Sequence, residues 1–352
     1  DFLKTHYKDH PYSRPIIGLT EHLKNPRISK MMEFYNTWYV ANNMALILAG
    51  SFDTEQIIPM IEKKFGTWRS GELPKLPEHT LPSFNCREQK QVRMSPIRIG
   101  IMSFRTIPVG HPDDPAMEIA TKLLSNEAGT GIFDQAVMDN KIMEMQPFSF
   151  QATDHGSYMI LFIPKIVGQS FRSAENIVND GLTALKSGNF SDELLQASKL
   201  EFRKEFQRGL ESVENRADML IEAFTENKEW EDVLNELKEV EAVTREDIIR
   251  VANTYLGDNR LVYLSKMGFP KKDKLEKPDW EPVIPQNTEK KSEFALRLDR
   301  MFEQWEEPKF IEFGEDVRFE TVNPGFEFYY TPNPFNEIFT LTLKFKKGNL
   351  HD

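Results

Sequence analysis

His10-Pro11-Tyr12, Ile17-Gly18, Tyr39, Asn43-Met44 and Ala49-Gly50-Ser51 punctuate the first fifty residues, and their reading decides the fold of the chain. Between these marks the hydrophobic period switches from helical to extended. Ser29 stands where it would cap a helix running to about Tyr39, with Met31, Met32, Tyr35 and Trp38 at helical spacing. Met44 to Ala49 is a short apolar run closed by Gly50, the pattern of a buried strand. Asp53, with Gln56 at the capping-box position, predicts a second helix with Ile57, Met60, Ile61 and Phe65 as its core stripe and Gly66 past its end. The block reads as the tail of a domain whose start precedes Asp1.

Part of this block returns far downstream. Val243-Thr244, Ile249, Tyr255, Asn259 and Val262 match Ile28-Ser29, Phe34, Tyr39, Asn43 and Leu46. In each copy a capped helix ends at tyrosine, asparagine follows four residues later, and a strand begins. So long a period implies duplicated domains rather than a solenoid.

Between the copies, residues 69–91 carry Pro74, Pro77 and Pro82 among polar residues and read as a linker. A strand is expected over 96–104, where Ile97, Ile99 and Ile101 alternate, and a helix from about Pro115 to Ser125. A strand pair over 148–153 and 158–163 turns at Asp154-His155-Gly156. Leu195, Phe202, Phe206, Leu210, Val213, Ala217, Leu220 and Phe224 form one long helical stripe, broken near Ser212. Thr244 with Asp247 predicts a capping box, and Leu261 to Leu264 a closing strand. Residues 267–290 form a second linker, rich in Lys and Pro. An amphipathic helix is expected over 292–305, through Phe294, Leu298, Met301 and Phe302. Phe326-Phe328-Tyr330 and Phe339-Leu341-Leu343-Phe345 then read as two strands of a hairpin or meander.

Composition sets outer bounds. The chain has 352 residues, enough for two domains or more, with 28% charged and 39% hydrophobic residues, an ordinary globular balance. Its net charge of −11 disfavours nucleic-acid binding, which needs a basic footprint. Cys86 is the single cysteine, so no intrachain disulfide forms. No apolar run approaches the roughly 18–20 residues that span a bilayer.

The marks that open the chain resemble those of the pitrilysin, insulysin and mitochondrial processing peptidase family, the inverted zinc-motif metallopeptidases. His10-Pro11-Tyr12, Ile17-Gly18-Leu19, Tyr39 and Asn43-Met44 match the end of an active domain of that family, with Leu19 in place of its usual Thr. Gly129-Thr130-Gly131-Ile132-Phe133 lies in a stretch similar to a second family domain. The resemblance implies an α+β architecture, an antiparallel-rich sheet with helices packed on one face, repeated along the chain. It divides the chain into residues 1–70, the C-terminal half of a catalytic-type domain; 71–87, a linker; 88–268, a complete inactive peptidase-like domain; 269–314, a linker and helix; and 315–352, the start of a third domain. It further implies that this is the middle of a four-domain clamshell enzyme, with peptide substrates and the remaining domains of the parent chain as partners. Relatives occur in periplasm and cytoplasm, with a weak lean to the bacterial periplasm here.

A catalytic zinc needs three protein ligands and a carboxylate base beside an open position. His6-Tyr7-Lys8-Asp9-His10 is a near miss, two imidazoles four residues apart. Pro11 biases His10 out of the helix, Asp9 is shorter than the Glu that the chemistry uses, and the expected reading is a solvated loop. His22, His79, His111, His155 and His351 stand alone in the sequence and read as surface or capping residues. Gly129-Thr130-Gly131 reads as a tight turn at a helix start rather than a phosphate cradle, and Cys86 as a linker residue rather than a nucleophile. The charge runs at 226–250 read as solvated helix faces. Met138, Met143 and Met145 read as core, with a peptide-contacting surface as the second reading. No catalytic, cofactor-binding or metal residue is therefore assigned to this segment; zinc is implied for the parent enzyme only. The alternative is a structural or peptide-binding homologue whose parent has lost catalysis.

Overall fold

The computed structural model describes residues 1–19, 27–269, 286–301, 310–323 and 325–345. The chain divides into two compact units, Asp1–Leu275 and Glu276–Asp352.

The first unit is organised by a five-stranded sheet. Its strands are β1 (Arg87–Ser95), β2 (Ile99–Thr106), β3 (Glu144–Gln151), β4 (Gly156–Ile163) and β5 (Arg260–Met267), in spatial order β1-β5-β2-β4-β3. Only the β1–β5 ladder is parallel; β2–β5, β2–β4 and β3–β4 are antiparallel. The alternation of side chains makes two faces. Met102 and Phe104 of β2 and Tyr158, Ile160 and Phe162 of β4 point to one side, all fully buried. There they meet helices α4 (Asp114–Leu124), α6 (Phe171–Lys186) and α10 (Arg245–Tyr255) in one continuous apolar core. The expected α+β architecture, with an antiparallel-rich sheet, is what the first unit forms, its main helix layer lying on one face and one short helix on the other.

Local chemistry explains the helix ends. Thr244 accepts from Asp247 N–H while the Asp247 carboxylate returns to Thr244, closing the capping box that starts α10. Ser212 ends α7 (Asp192–Glu211) and caps α8 (Val213–Glu226) by accepting from Asn215 N–H, so the long apolar stripe is two helices, as its spacing suggests. Gly131 starts α5 (Ile132–Met138) directly after Gly129, whose φ of +68° gives the tight turn.

The stretch before the sheet departs from expectation. Helices α2 (Ile28–Trp38) and α3 (Thr54–Phe65) form, and Asp53 caps α3 as read, but α2 begins at Arg27 rather than through a Ser29 cap. Neither helix has a buried residue. Met44 to Ala49 has no strand partner, and Leu46 is half exposed. A strand closes its hydrogen bonds only on a neighbour, and among the described residues this run has none. Its counterpart in the repeat, β5, lies inside the sheet with β1 and β2 on either side. Strand β1, over residues 87–95, begins within the Pro-containing stretch 69–91.

In the second unit, α11 (Glu293–Met301) lies within the expected helix, whose end falls outside the described residues. Strand β6 (Arg318–Asn323) pairs antiparallel with β7 (Phe326–Tyr330). The hairpin partner of β7 is thus β6 and not Phe339–Phe345, which among the described residues joins no ladder and is exposed at Phe339, Leu341, Leu343 and Phe345. Among the described residues no helix is long and apolar enough to cross a membrane.

Candidate functional site

The sheet face turned away from the helices carries the polar chemistry. On it lie Ile101, Ser103 and Arg105 of β2, Ser157 of β4 and Leu261 and Tyr263 of β5. Helix α1 (Phe2–Tyr7) and Phe84 cover this side. His6 Nδ1 bonds Ser103 Oγ (3.0 Å) and its Nε2 bonds Ser157 Oγ (3.1 Å). The Tyr7 hydroxyl also meets Ser157, and Arg105 donates to the His6 carbonyl while its guanidinium lies 4.0 Å over the Phe84 ring. His6 is fully buried. Burial first, then the positive field of Arg105, hold its imidazole down to about 3.

His10 lies one turn further, where α1 has ended. Lys8 adopts φ +50°, and His10 caps the short 3₁₀ turn Pro11–Ser13 by accepting Tyr12 N–H at Nδ1 (3.2 Å). The helix therefore stops before it could place both imidazoles on one face. The solvated-loop reading fails all the same: His10 is only 4% exposed, because the loop folds back over the end of the sheet instead of into solvent.

Two histidines read as solitary join it there. The His10 ring lies 5.4 Å from that of His79 in the linker and 5.2 Å from that of His155 in the β3–β4 turn. His155 Nε2–H donates to the His79 carbonyl (3.2 Å), and Asp154 N–H donates to Tyr12 Oη (3.3 Å). Asp154 Oδ2 stands 3.9 Å from His10 Nε2, beyond hydrogen-bond reach, so that buried nitrogen has no partner. Burial, followed by the neighbouring His155 and His79, lowers the His10 pKa. Only the topology joins these residues; no local spacing in the sequence signals it. His111 is half-buried and accepts Asp113 N–H at Nδ1 (3.1 Å) in the turn before α4, whose N-cap is Asp113, and His22 and His351 lie outside the described residues.

These imidazoles do not suit zinc. Both His6 nitrogens are engaged with serines. A backbone donor occupies the lone pair of His10 Nδ1, which puts the ring proton of the neutral form on Nε2, the nitrogen a metal would need. Among the described residues no group of three or more His, Cys, Asp or Glu could hold a metal ion.

Elsewhere the polar groups serve the frame. Glu175 of α6, 1% exposed, takes Arg87 Nε and Nη2 at 2.6 and 2.7 Å, fixing the start of β1 to the helix layer. A cavity of about 640 Å³ lies beside the start of α4 and α9 (Trp230–Ala242), with Asp114, Glu236, Asp247, Lys228 and Arg250 on its wall. Burial raises the carboxyls of Asp114 and Glu236. Cys86 is exposed, with φ +58°. Met145 is core as expected, but Met138 and Met143 are exposed, because α5 ends at Met138 and the turn after it carries Met143 outward.

Comparison with known proteins now places the chain. Residues 28–202 match the family model described as the Peptidase M16 inactive domain. The chain belongs to the M16 peptidase family, the metallopeptidases that its opening motifs resemble, and it carries that family's inactive domain. It is 24% identical over 67% of its length to the ubiquinol-cytochrome-c reductase complex core protein I of Euglena gracilis mitochondria, covering 53% of that protein. It is 22% identical over 72% of its length to the uncharacterized zinc protease YmfH of Bacillus subtilis, covering 60% of it. Among solved structures, a protease from Helicobacter pylori superposes with a TM-score of 0.68 at 18% identity, over 75% of this chain and 65% of that one. The chain thus spans a little over half the length of the curated relatives it matches.

Proposed function

We propose that this chain is the non-catalytic part of a longer zinc metalloendopeptidase and forms wall and enclosing surface of a chamber in which peptides are degraded. Residues 88–268 would be the complete inactive domain. Residues 1–70 would complete a preceding catalytic-type domain, and residues 315–352 would open a third. The carrying observation is the match to the inactive domain in a chain whose buried histidines are spent on structural hydrogen bonds. The uncovered apolar faces of α2 and α3 support the division at residue 70: Met31, Phe34 and Met60 are each more than half exposed, as expected of helices whose sheet is supplied by another part of the parent. The outer side of β3, unpaired among the described residues and with Phe148 and Phe150 exposed beside it, suits an extended peptide added through main-chain hydrogen bonds.

Elemental analysis of the purified chain tests the assignment of metal. The expected result is no stoichiometric zinc here and one zinc per full-length protein. One zinc per chain, lost in His6→Gln, would overturn it. The likeness to a respiratory-complex core protein favours a second reading, a structural homologue without catalysis; full-length protein that binds no zinc would select it.

A further inference from the structure

We propose that His10, His79, His155 and Asp154 form an acid-released latch that fastens the segment around Tyr7–Ser13 to the linker and to the β3–β4 turn. The inference is independent of whether the parent hydrolyses peptides.

The latch is defined by proton positions. His10 must be neutral to hold the segment, because its Nδ1 lone pair receives Tyr12 N–H. Adding a proton at Nδ1 sets two N–H groups against each other and breaks the cap of the Pro11–Ser13 turn. Tyr12 would then leave Asp154 N–H, the other tie between this turn and the hairpin. The groups facing His10 come from four elements: Tyr7 and Tyr12 on its own segment, His79 from the linker, Asp154 and His155 from the hairpin turn, and Arg105 from β2. Of these, Arg105 is a permanent cation and Asp154 a single carboxylate at 3.9 Å. His79 is exposed and His155 half-buried. His10 Nε2–H, buried without an acceptor, adds nothing that resists opening.

Acidification therefore releases the segment through protonation of His10 at Nδ1, which breaks the Tyr12 cap, rather than through general unfolding. The sign follows from the lowered His10 pKa: the closed form is complete above the ordinary histidine pKa and is lost as pH falls below it.

The test is hydrogen exchange by mass spectrometry on the full-length protein between pH 7.5 and 5, corrected for the intrinsic exchange rate, comparing wild type with His10→Asn. Asparagine Oδ1 can accept Tyr12 N–H and does not titrate. In the wild type, protection of residues 7–13 should fall at pH 5 by about tenfold or more beyond any fall shared with β4. In His10→Asn the protection of residues 7–13 should fall less than about twofold beyond that of β4 over the same range. Equal pH dependence in the two proteins, or a wild-type segment that stays protected at pH 5, overturns the latch. Should His10→Asn misfold, titration of the His10 ring resonance in the wild type decides: a pKa below 6.5 that coincides with loss of protection supports it, and one at or above 6.5 refutes it.

Discussion

His6 shows how one buried side chain sets a pH limit on the whole unit. Its folded pKa of about 3 lies below the ordinary 6.5, so the unfolded chain binds a proton that the folded chain refuses. Stability is therefore complete above pH 6.5 and declines as pH falls toward 3, by roughly 1.4 kcal/mol per unit and so about 2 kcal/mol at pH 5. Denaturant titrations at pH 7.5 and pH 5 check this. His6→Gln should be less stable at pH 7.5 yet lose that slope. A second residue-level expectation concerns Glu175. Glu175→Gln leaves the Arg87 guanidinium without its paired charge and should cost about 3 kcal/mol by chemical denaturation, the low end for a broken buried pair because Arg87 is partly exposed. Either helix-layer packing or this ion pair could position β1, and an unchanged midpoint would assign the role to packing.

Among elements, the β2–β4 pair is the least tolerant of added volume. A Cβ at Gly156 would stand 2.0 Å from the Ile107 carbonyl oxygen, a backbone atom that cannot swing aside. Gly156→Ala should cost about 2–3 kcal/mol, measured by thermal or urea unfolding. Ser212→Ala removes the cap at the α7–α8 break and should cost about 1 kcal/mol. The same elements show what the sequence makes legible. Caps at Asp53, Ser212 and Thr244 could be read because capping chemistry is local. Strand β1 could not, because Arg87-Glu88-Gln89-Lys90-Gln91 offers no apolar alternation; this edge strand is held by its ladder to β5 and by Glu175. Met44–Ala49 carries a strand pattern without a partner among the described residues, since pairing is a property of the neighbour as much as of the run. The histidine cluster was illegible for a related reason: His10, His79 and His155 are distant in sequence and meet only when linker and hairpin turn fold onto the start of the chain.

At the scale of the whole molecule, the chain has a well-packed sheet-and-helix core over residues 87–267, preceded and followed in sequence by stretches whose apolar faces are open. The core around the sheet buries its large side chains fully, whereas α2, α3 and the β6–β7 hairpin leave theirs exposed. That contrast is the physical content of the proposed division into one complete domain and parts of two others. Chemistry divides the same way in this reading: the chain supplies enclosure, and the zinc, its ligands and the base belong to the remainder of the parent. The most direct measurement is peptide hydrolysis by the purified chain beside the full-length protein, each with chelator and with zinc restored. Only the full-length protein should cleave, losing activity to the chelator and regaining it with zinc. Chelator-sensitive, zinc-restored cleavage by this chain alone would contradict the assignment.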